Sequence, residues 1–303
     1  MDEYLIPLSV PSSMKARYSK NFSDATHSTG KLMLFAGDQK AEHLNDDFFG
    51  ENIHPDDSDP EHLFRIASQA KIGVFAAQLG LIARYGKNYS LVPYLVKINA
   101  KTNLVSSGVR DPVSRLWHTV AQVREFEQET GLKILGIGYS VYPGSYHEPE
   151  ILAQAASVVS EAHKNGYISV LWIYPRGQSV KNEKDPHLIA GAAGLGVTLG
   201  ADFVKVNFPS NSGNEDFYAF REAVLAAGRT GVICAGGSSM GKSEFLERLY
   251  QQIHISGARG NATGRNIHER SLKEAVQFAN AVFAITVEGA EVHEALRYID
   301  SKN

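Results

Sequence analysis

Short apolar runs alternate along this chain with longer segments in which apolar residues recur at helical spacing. The runs Leu32–Ala36, Ile72–Ala77, Tyr94–Ile98, Ile134–Tyr142, Ile168–Tyr174, Phe203–Phe208, Val232–Ala235 and Ala258–Ala262 are rich in β-branched and aromatic residues. Several are apolar on both faces, as parallel strands covered from both sides must be. Helical periodicity marks Pro60–Ala70, Leu79–Tyr85, Val113–Glu129, Pro149–Asn165, Pro186–Leu199, Glu215–Ala227, Ser243–Ile255 and Leu272–Val287. The pairs Asp59-Pro60, Asp111-Pro112 and Asp185-Pro186 put a capping carboxylate before a proline in the first turn. Gly131, Gly166, Gly200 and Gly257 stand where helices should stop. This strict alternation predicts a single α/β domain, a (β/α)8 TIM barrel with parallel strands, with an open doubly wound sheet as the structural alternative. Residues 1–30 read as a polar N-terminal extension, 31–289 as the barrel and 290–303 as a terminal helix through Val292, Leu296 and Ile299. The Asp- and Asn-rich stretch 37–58 reads as a long loop after the first strand, on the face where barrels keep their chemistry.

Composition narrows the function. Of the 303 residues 43% are hydrophobic and 21% charged, so a large core is expected and global disorder is not. The net charge of -3 and the lack of a basic block argue against a nucleic-acid partner. No window approaches the roughly 20 apolar residues that span a bilayer, so no membrane partner is expected. The single cysteine, Cys234, allows no intrachain disulfide and suits a reducing compartment. The acidic start Met1-Asp2-Glu3-Tyr4 lacks the basic and apolar regions of a signal peptide, and a cytoplasmic location is the expectation.

Polar residues at the C-terminal ends of the strands are the candidates for chemistry. Lys205 lies in Ala-Asp-Phe-Val-Lys-Val-Asn-Phe, a strand otherwise too apolar for a solvated lysine. Facing inward, its amine would lose protons more readily and could attack a ketone; facing outward, it would merely reach solvent. Trp172, Tyr174 and Arg176 share one face of Leu-Trp-Ile-Tyr-Pro-Arg-Gly, offering a stacking surface, a phenol for proton transfer and a guanidinium for an anion. An aromatic core pair followed by a surface arginine is the plainer reading. Asp38 ends the first strand, where a carboxylate is often only a helix cap. Lys97, Asn99 and Lys101 share parity, and at most two of them can face a site. The turns Ala235-Gly236-Gly237-Ser238 and Ala262-Thr263-Gly264-Arg265 follow the last two strands, the usual place for a phosphate grip. The 11 histidines show no H-x-x-x-H pair, so no metal is expected, and only His43 is a site candidate. No G-x-G-x-x-G follows a strand, so a Rossmann dinucleotide site is unsupported, and Schiff-base chemistry on a lysine would need no cofactor.

Taken in order, Trp172-Ile-Tyr174-Pro-Arg176-Gly, Gly200-Ala-Asp-Phe-Val-Lys205, Ala235-Gly-Gly and Gly264-Arg265-Asn266 resemble the archaeal-type class I fructose-bisphosphate aldolases, the DhnA-like aldolase family. Tyr139-Ser-Val-Tyr142-Pro-Gly144-Ser145 and Leu95-Val-Lys97-Ile-Asn99 also look like family segments, so the resemblance covers nearly the whole barrel. It implies a Schiff-base lysine at Lys205, a proton donor and acceptor at Tyr174 and a site carboxylate at Asp38. Trp172, Arg176, His43 and Lys97 would be substrate-binding, and Gly236, Gly237, Gly264 and Arg265 phosphate-binding. The implied substrate is a phosphorylated sugar, fructose 1,6-bisphosphate, and the implied assembly a homo-oligomeric ring such as a decamer. The family's Asp-His-Gly is Asp38-Gln39-Lys40 here, its Pro-Lys after Gly-Gly is Ser238-Ser-Met-Gly-Lys242, and a frequent lysine beyond the Schiff-base position is Asn207. The rivals are a transaldolase-like synthase or a thiolase for a phosphorylated autoinducer on the same barrel, and a catalytically silent regulatory barrel.

Overall fold

The computed structural model describes residues 6–106, 111–211 and 214–300. In chain order they form α1 (Lys15–Thr26), β1 (Leu32–Ala36), α2 (Gln39–Glu42), α3 (Glu61–Gln69), β2 (Val74–Gln78), α4 (Leu79–Tyr85), β3 (Tyr94–Lys97), α5 (Val120–Thr130), β4 (Ile134–Val141), α6 (Glu148–Lys164), β5 (Ile168–Ile173), α7 (Pro186–Thr198), β6 (Phe203–Val206), α8 (Phe217–Ala227), β7 (Gly231–Ala235), α9 (Lys242–His254), β8 (Gly260–Thr263), α10 (Arg265–His268), α11 (Leu272–Phe283) and α12 (Val292–Asp300). Each of the eight strands pairs in parallel with its sequence neighbours, and β8 closes on β1. The fold is therefore the predicted closed barrel, and the open-sheet alternative falls.

Two apolar layers follow from the two-residue period. Met33, Phe35, Phe75 and Tyr139 point outward and meet the helices, while Leu34, Val74, Leu95, Val170, Trp172, Phe203 and Ile233 fill the lumen. The indole of Trp172 fits only because β4 turns glycine inward: a Cβ on Gly138 would lie 2.7 Å from its ring and 2.8 Å from Leu95. The helix stops are as read, since Gly131, Gly166, Gly200 and Gly257 all take positive φ.

Two stretches differ from the sequence expectation. Residues 1–30 contain helix α1, which closes the N-terminal end of the barrel: Phe22 stacks on Phe203 with ring centroids 5.7 Å apart, and Asn21 donates to the Gly166 carbonyl at 2.8 Å. Its apolar face is sparse, which hid it from a periodicity search. The segment Val113–Glu129 is not one helix. Asp111 does not cap it but accepts from the Gln178 amide at 2.9 Å, Arg115–Leu116 pairs antiparallel with Asn99–Ala100, and α5 starts behind a Thr119 capping box. Asp185 does cap α7, accepting from His187 and Leu188 amides.

The same substitution should have opposite signs at two glycines. Gly138→Ala should destabilise by about 1–3 kcal/mol through overpacking against Trp172. Gly191 sits mid-helix in α7 with nothing within 4 Å of a Cβ, so Gly191→Ala should stabilise by about 0.5–1 kcal/mol. Urea unfolding monitored by circular dichroism measures both.

Candidate active site

The C-terminal ends of β1, β2, β3, β5 and β6 bring a charged cluster to the mouth of an apolar lumen. Lys97 is wholly buried, its Nζ 3.3 Å from Glu42 Oε1, 3.9 Å from Asp38 Oδ2 and donating to the Asn99 carbonyl at 3.1 Å. Lys205 is 6% exposed. Both ammonium groups look onto Trp172, 5.0 Å from its ring for Lys97 and 5.3 Å for Lys205. Carboxylates pair with Lys97, but among the described residues none forms an ion pair with Lys205. Burial accordingly pushes the Lys205 amine below the ordinary lysine pKa. Asp38 and Glu42 oppose that shift from a distance, and Lys97 and Arg265 reinforce it.

Tyr174 follows β5, its amide still donating to Val141 across the sheet at 3.0 Å. Burial, with Glu42 and Asp38 near, pushes its phenol well above the usual value, so at neutral pH it holds its proton. Tyr142 beside it is shifted the same way for the same first cause. Around this cluster Asp38 Oδ1, Gln39 Oε1, Gln78 Oε1 and Trp172 Nε1 are buried without a protein partner. Each such atom costs about 1–3 kcal/mol, and a hydroxylated ligand carrying donors and acceptors would relieve several at once. Gln78 orients Asp38 from behind, donating to its carbonyl at 3.0 Å.

The sequence candidates are distributed unevenly. Lys205, Lys97, Trp172, Tyr174 and Asp38 converge. Arg176 turns aside instead, forming a bidentate pair with Glu183 at 2.9 and 2.8 Å, while lying 6.0 Å from the Tyr174 ring. His43 faces Asp47, with Nδ1 2.5 Å from Oδ2, and Asp47 Oδ1 lies 3.6 Å from Arg265 Nη1. Burial opposes the Asp47 carboxylate, but His43 and Arg265 outweigh it and hold its pKa below the usual range. Gly236 uses its amide to pair with the Ala262 carbonyl at 2.9 Å, while Gly237 takes φ +75° and accepts at its carbonyl from Arg265 Nη2 at 3.1 Å. A Cβ at Gly264 would meet the Gln39 carboxamide, which would have to move to admit it. Of the β3 set, Asn99 bonds both ways with the Ser140 backbone at 2.7 and 3.0 Å, and Lys101 lies in the loop beyond.

Sequence reasoning missed Glu42 as the partner of Lys97, and also Gln78, Tyr142 and Asp47. Gln78 had a signal, as the one polar residue of its strand, in step with inward Val74 and Ala76. Asp47 had none, being one acid among several in an acidic loop.

Among the described residues no group of three or more His, Cys, Asp or Glu could hold a metal ion, and no helix is long and apolar enough to cross a membrane.

Comparison with known proteins agrees with this geometry. A Methanocaldococcus jannaschii protein described as a fructose-bisphosphate aldolase/6-deoxy-5-ketofructose 1-phosphate synthase is 58% identical over 292 residues, 96% of this chain and 93% of its own. The solved structure of a fructose-bisphosphate aldolase from Slackia heliotrinireducens is 50% identical, with a TM-score of 0.95 over 98% of this chain and 94% of that one. A structure described as the Schiff base forming fructose-1,6-bisphosphate aldolase superposes with a TM-score of 0.75 at 31% identity, over 89% of this chain and 99% of that one. Residues 32–270 match the DeoC/LacD family aldolase domain, and with these relatives the chain belongs to that family of aldolases.

Proposed function

We propose that this enzyme cleaves and forms fructose 1,6-bisphosphate through a Schiff base on Lys205. The observation that carries the reading is an amine sealed in the lumen against Trp172, with burial lowering its pKa and no paired carboxylate among the described residues to hold its proton. The neutral Lys205 amine adds to the C2 ketone, and its proton passes to the new alkoxide. The Tyr174 phenol gives its proton to the departing C2 hydroxyl, so water leaves, an iminium forms and Tyr174 becomes a phenolate. That phenolate is stabilised by the positive iminium and takes the C4 hydroxyl proton. The C3–C4 bond then breaks, glyceraldehyde 3-phosphate departs and the electron pair enters the iminium to give an enamine. Tyr174 returns the proton to C3, water hydrolyses the iminium, the proton this releases goes back to the Tyr174 phenolate, and dihydroxyacetone phosphate leaves with the neutral amine restored. Asp38 and Gln78 orient hydroxyls, and the turns after β7 and β8 take a phosphate.

A second activity is supported by the 58% identical relative, whose description includes a synthase of 6-deoxy-5-ketofructose 1-phosphate. Disconnecting that product between C3 and C4 leaves dihydroxyacetone phosphate and 2-oxopropanal. The same enamine would therefore serve both reactions, adding to a different aldehyde. We extend this reading to the present chain.

Three outcomes check these assignments. Lys205→Ala should abolish both turnover and borohydride-trapped adduct. Tyr174→Phe should still trap dihydroxyacetone phosphate but turn over about 10²–10⁴-fold more slowly, the usual worth of a positioned acid–base group. A silent barrel would trap nothing even as wild type. The pH profile gives the second check. Trapping needs the neutral amine, so its rate should rise with pH through a midpoint below the ordinary lysine value. Lys97→Met removes a positive neighbour, so Lys205 keeps its proton longer and the midpoint should move to higher pH. An unmoved midpoint would break the coupling between the two lysines. Finally, with dihydroxyacetone phosphate and 2-oxopropanal the protein should form a new carbon–carbon bond detectable by mass spectrometry, and Lys205→Ala should form none.

A further inference from the structure

We infer that Asp47, on the loop after β1, sets the strength of the phosphate site by standing as the counter-ion of Arg265, so that removing its charge tightens the site. The inference rests on the reading that the turns after β7 and β8 take a phosphate, and its test separates the two.

Arg265, at the start of α10, has capacity to spare. Its Nη2 donates to the Gly237 carbonyl at 3.1 Å, and its Nε is buried without a protein partner. A guanidinium carries five donors and cannot shed its proton, so it keeps its charge whatever meets it. What meets it is Asp47, whose Oδ1 lies 3.6 Å from Nη1, near enough for one charge to offset the other but beyond a hydrogen bond. The other carboxylate oxygen is held closer, 2.5 Å from His43 Nδ1. Asp47 is buried, so salt and water screen this pair less than they would a surface pair.

A second acid stands nearby but does not take the same part. Glu269 follows α10, and burial pushes its carboxyl above the usual value. At Asp47 burial works the same way, but His43 and Arg265 outweigh it and hold the carboxyl below the usual range. Asp47 is therefore the acid that keeps a full negative charge against Arg265.

A phosphate monoester arriving at Arg265 brings about −1.5 to −2 charges at neutral pH and meets that carboxylate at short range. Like charges brought together cost free energy, so the site takes phosphate less tightly than the arginine alone would allow. The cost has a use. On the aldolase reading a bisphosphate is cleaved to two monophosphates that must leave, and a grip opposed by a fixed carboxylate lets them go faster.

The test uses Asp47→Asn, which can still bond His43 and removes only the charge, beside Asp47→Glu, which keeps the charge. Circular dichroism first establishes that both variants hold the wild-type fold. Inorganic phosphate, titrated calorimetrically, should bind Asp47→Asn about 5–50-fold more tightly than wild type. The KM for fructose 1,6-bisphosphate should fall in the same direction without a rise in kcat. Asp47→Glu should bind phosphate no more tightly than wild type. In an Arg265→Met background, itself weaker for phosphate, the gain from Asp47→Asn should vanish. Half-saturation of adduct formation with dihydroxyacetone, which has no phosphate, should not share the gain. A merely structural Asp47 predicts the opposite sign, because its loss would loosen the loop. Unchanged or weaker phosphate binding in Asp47→Asn would overturn the inference, as would an equal gain for dihydroxyacetone or a gain that survives the loss of Arg265. Wild-type phosphate affinity in Arg265→Met would remove the phosphate site itself and this inference with it. A wild type that traps no sugar, with phosphate binding ordered as above, would sink the aldolase reading and keep this one.

Discussion

Inside the barrel two lysine amines share the indole of Trp172, and the lumen has too little polarity to keep both charged at low cost. Removing an ammonium from water is expensive unless a carboxylate comes with it. The protein resolves this unequally. Lys97 receives Glu42 and Asp38 and a backbone carbonyl, which suits a fixed cation. Lys205, one strand from Trp172, forms no ion pair with either carboxylate, and burial lowers its pKa below the ordinary lysine value. On the proposed mechanism the nucleophile is made by withholding a partner, and the positive Lys97 beside it reinforces the lowered pKa.

Much of the fold serves that unequal arrangement. Helix α1 seals the floor with Phe22 against Phe203, so the lumen below the lysines is lined by apolar groups. The inward Gly138 on β4 opens the space that the indole occupies. At the mouth the β1 loop folds over, sending Glu42 inward to Lys97 and Asp47 across to Arg265. That loop links the amine cluster to the turns after β7 and β8, so one segment joins the two halves of the candidate site.

The strands and most helix ends were legible because they depend on local rules: two-residue and 3.6-residue periods, proline after a capping acid, glycine at positive φ. Lys205 was legible for the opposite reason, since a lysine in an apolar strand breaks the local rule. What failed were inferences in which a local signal had a distant answer. Asp111-Pro112 looks like a helix start, but its carboxylate serves the Gln178 amide 67 residues away. Arg176 reads from the sequence as an anion binder, and the Glu183 that pairs with it from the following loop had no local signal. Helix α1 lacks a strong apolar face and is held by a surface that exists only once the barrel has closed. Glu42 and Asp47 gain meaning only from partners on other elements.

The account turns on which amine becomes covalent. Borohydride reduction of the wild-type protein with dihydroxyacetone phosphate, followed by mass mapping of the digested chain, decides it. The account predicts a single modified peptide, with the reduced three-carbon adduct on Lys205 and Lys97 unmodified. An adduct carried by Lys97 would contradict the division of roles between the two lysines and the argument built on it.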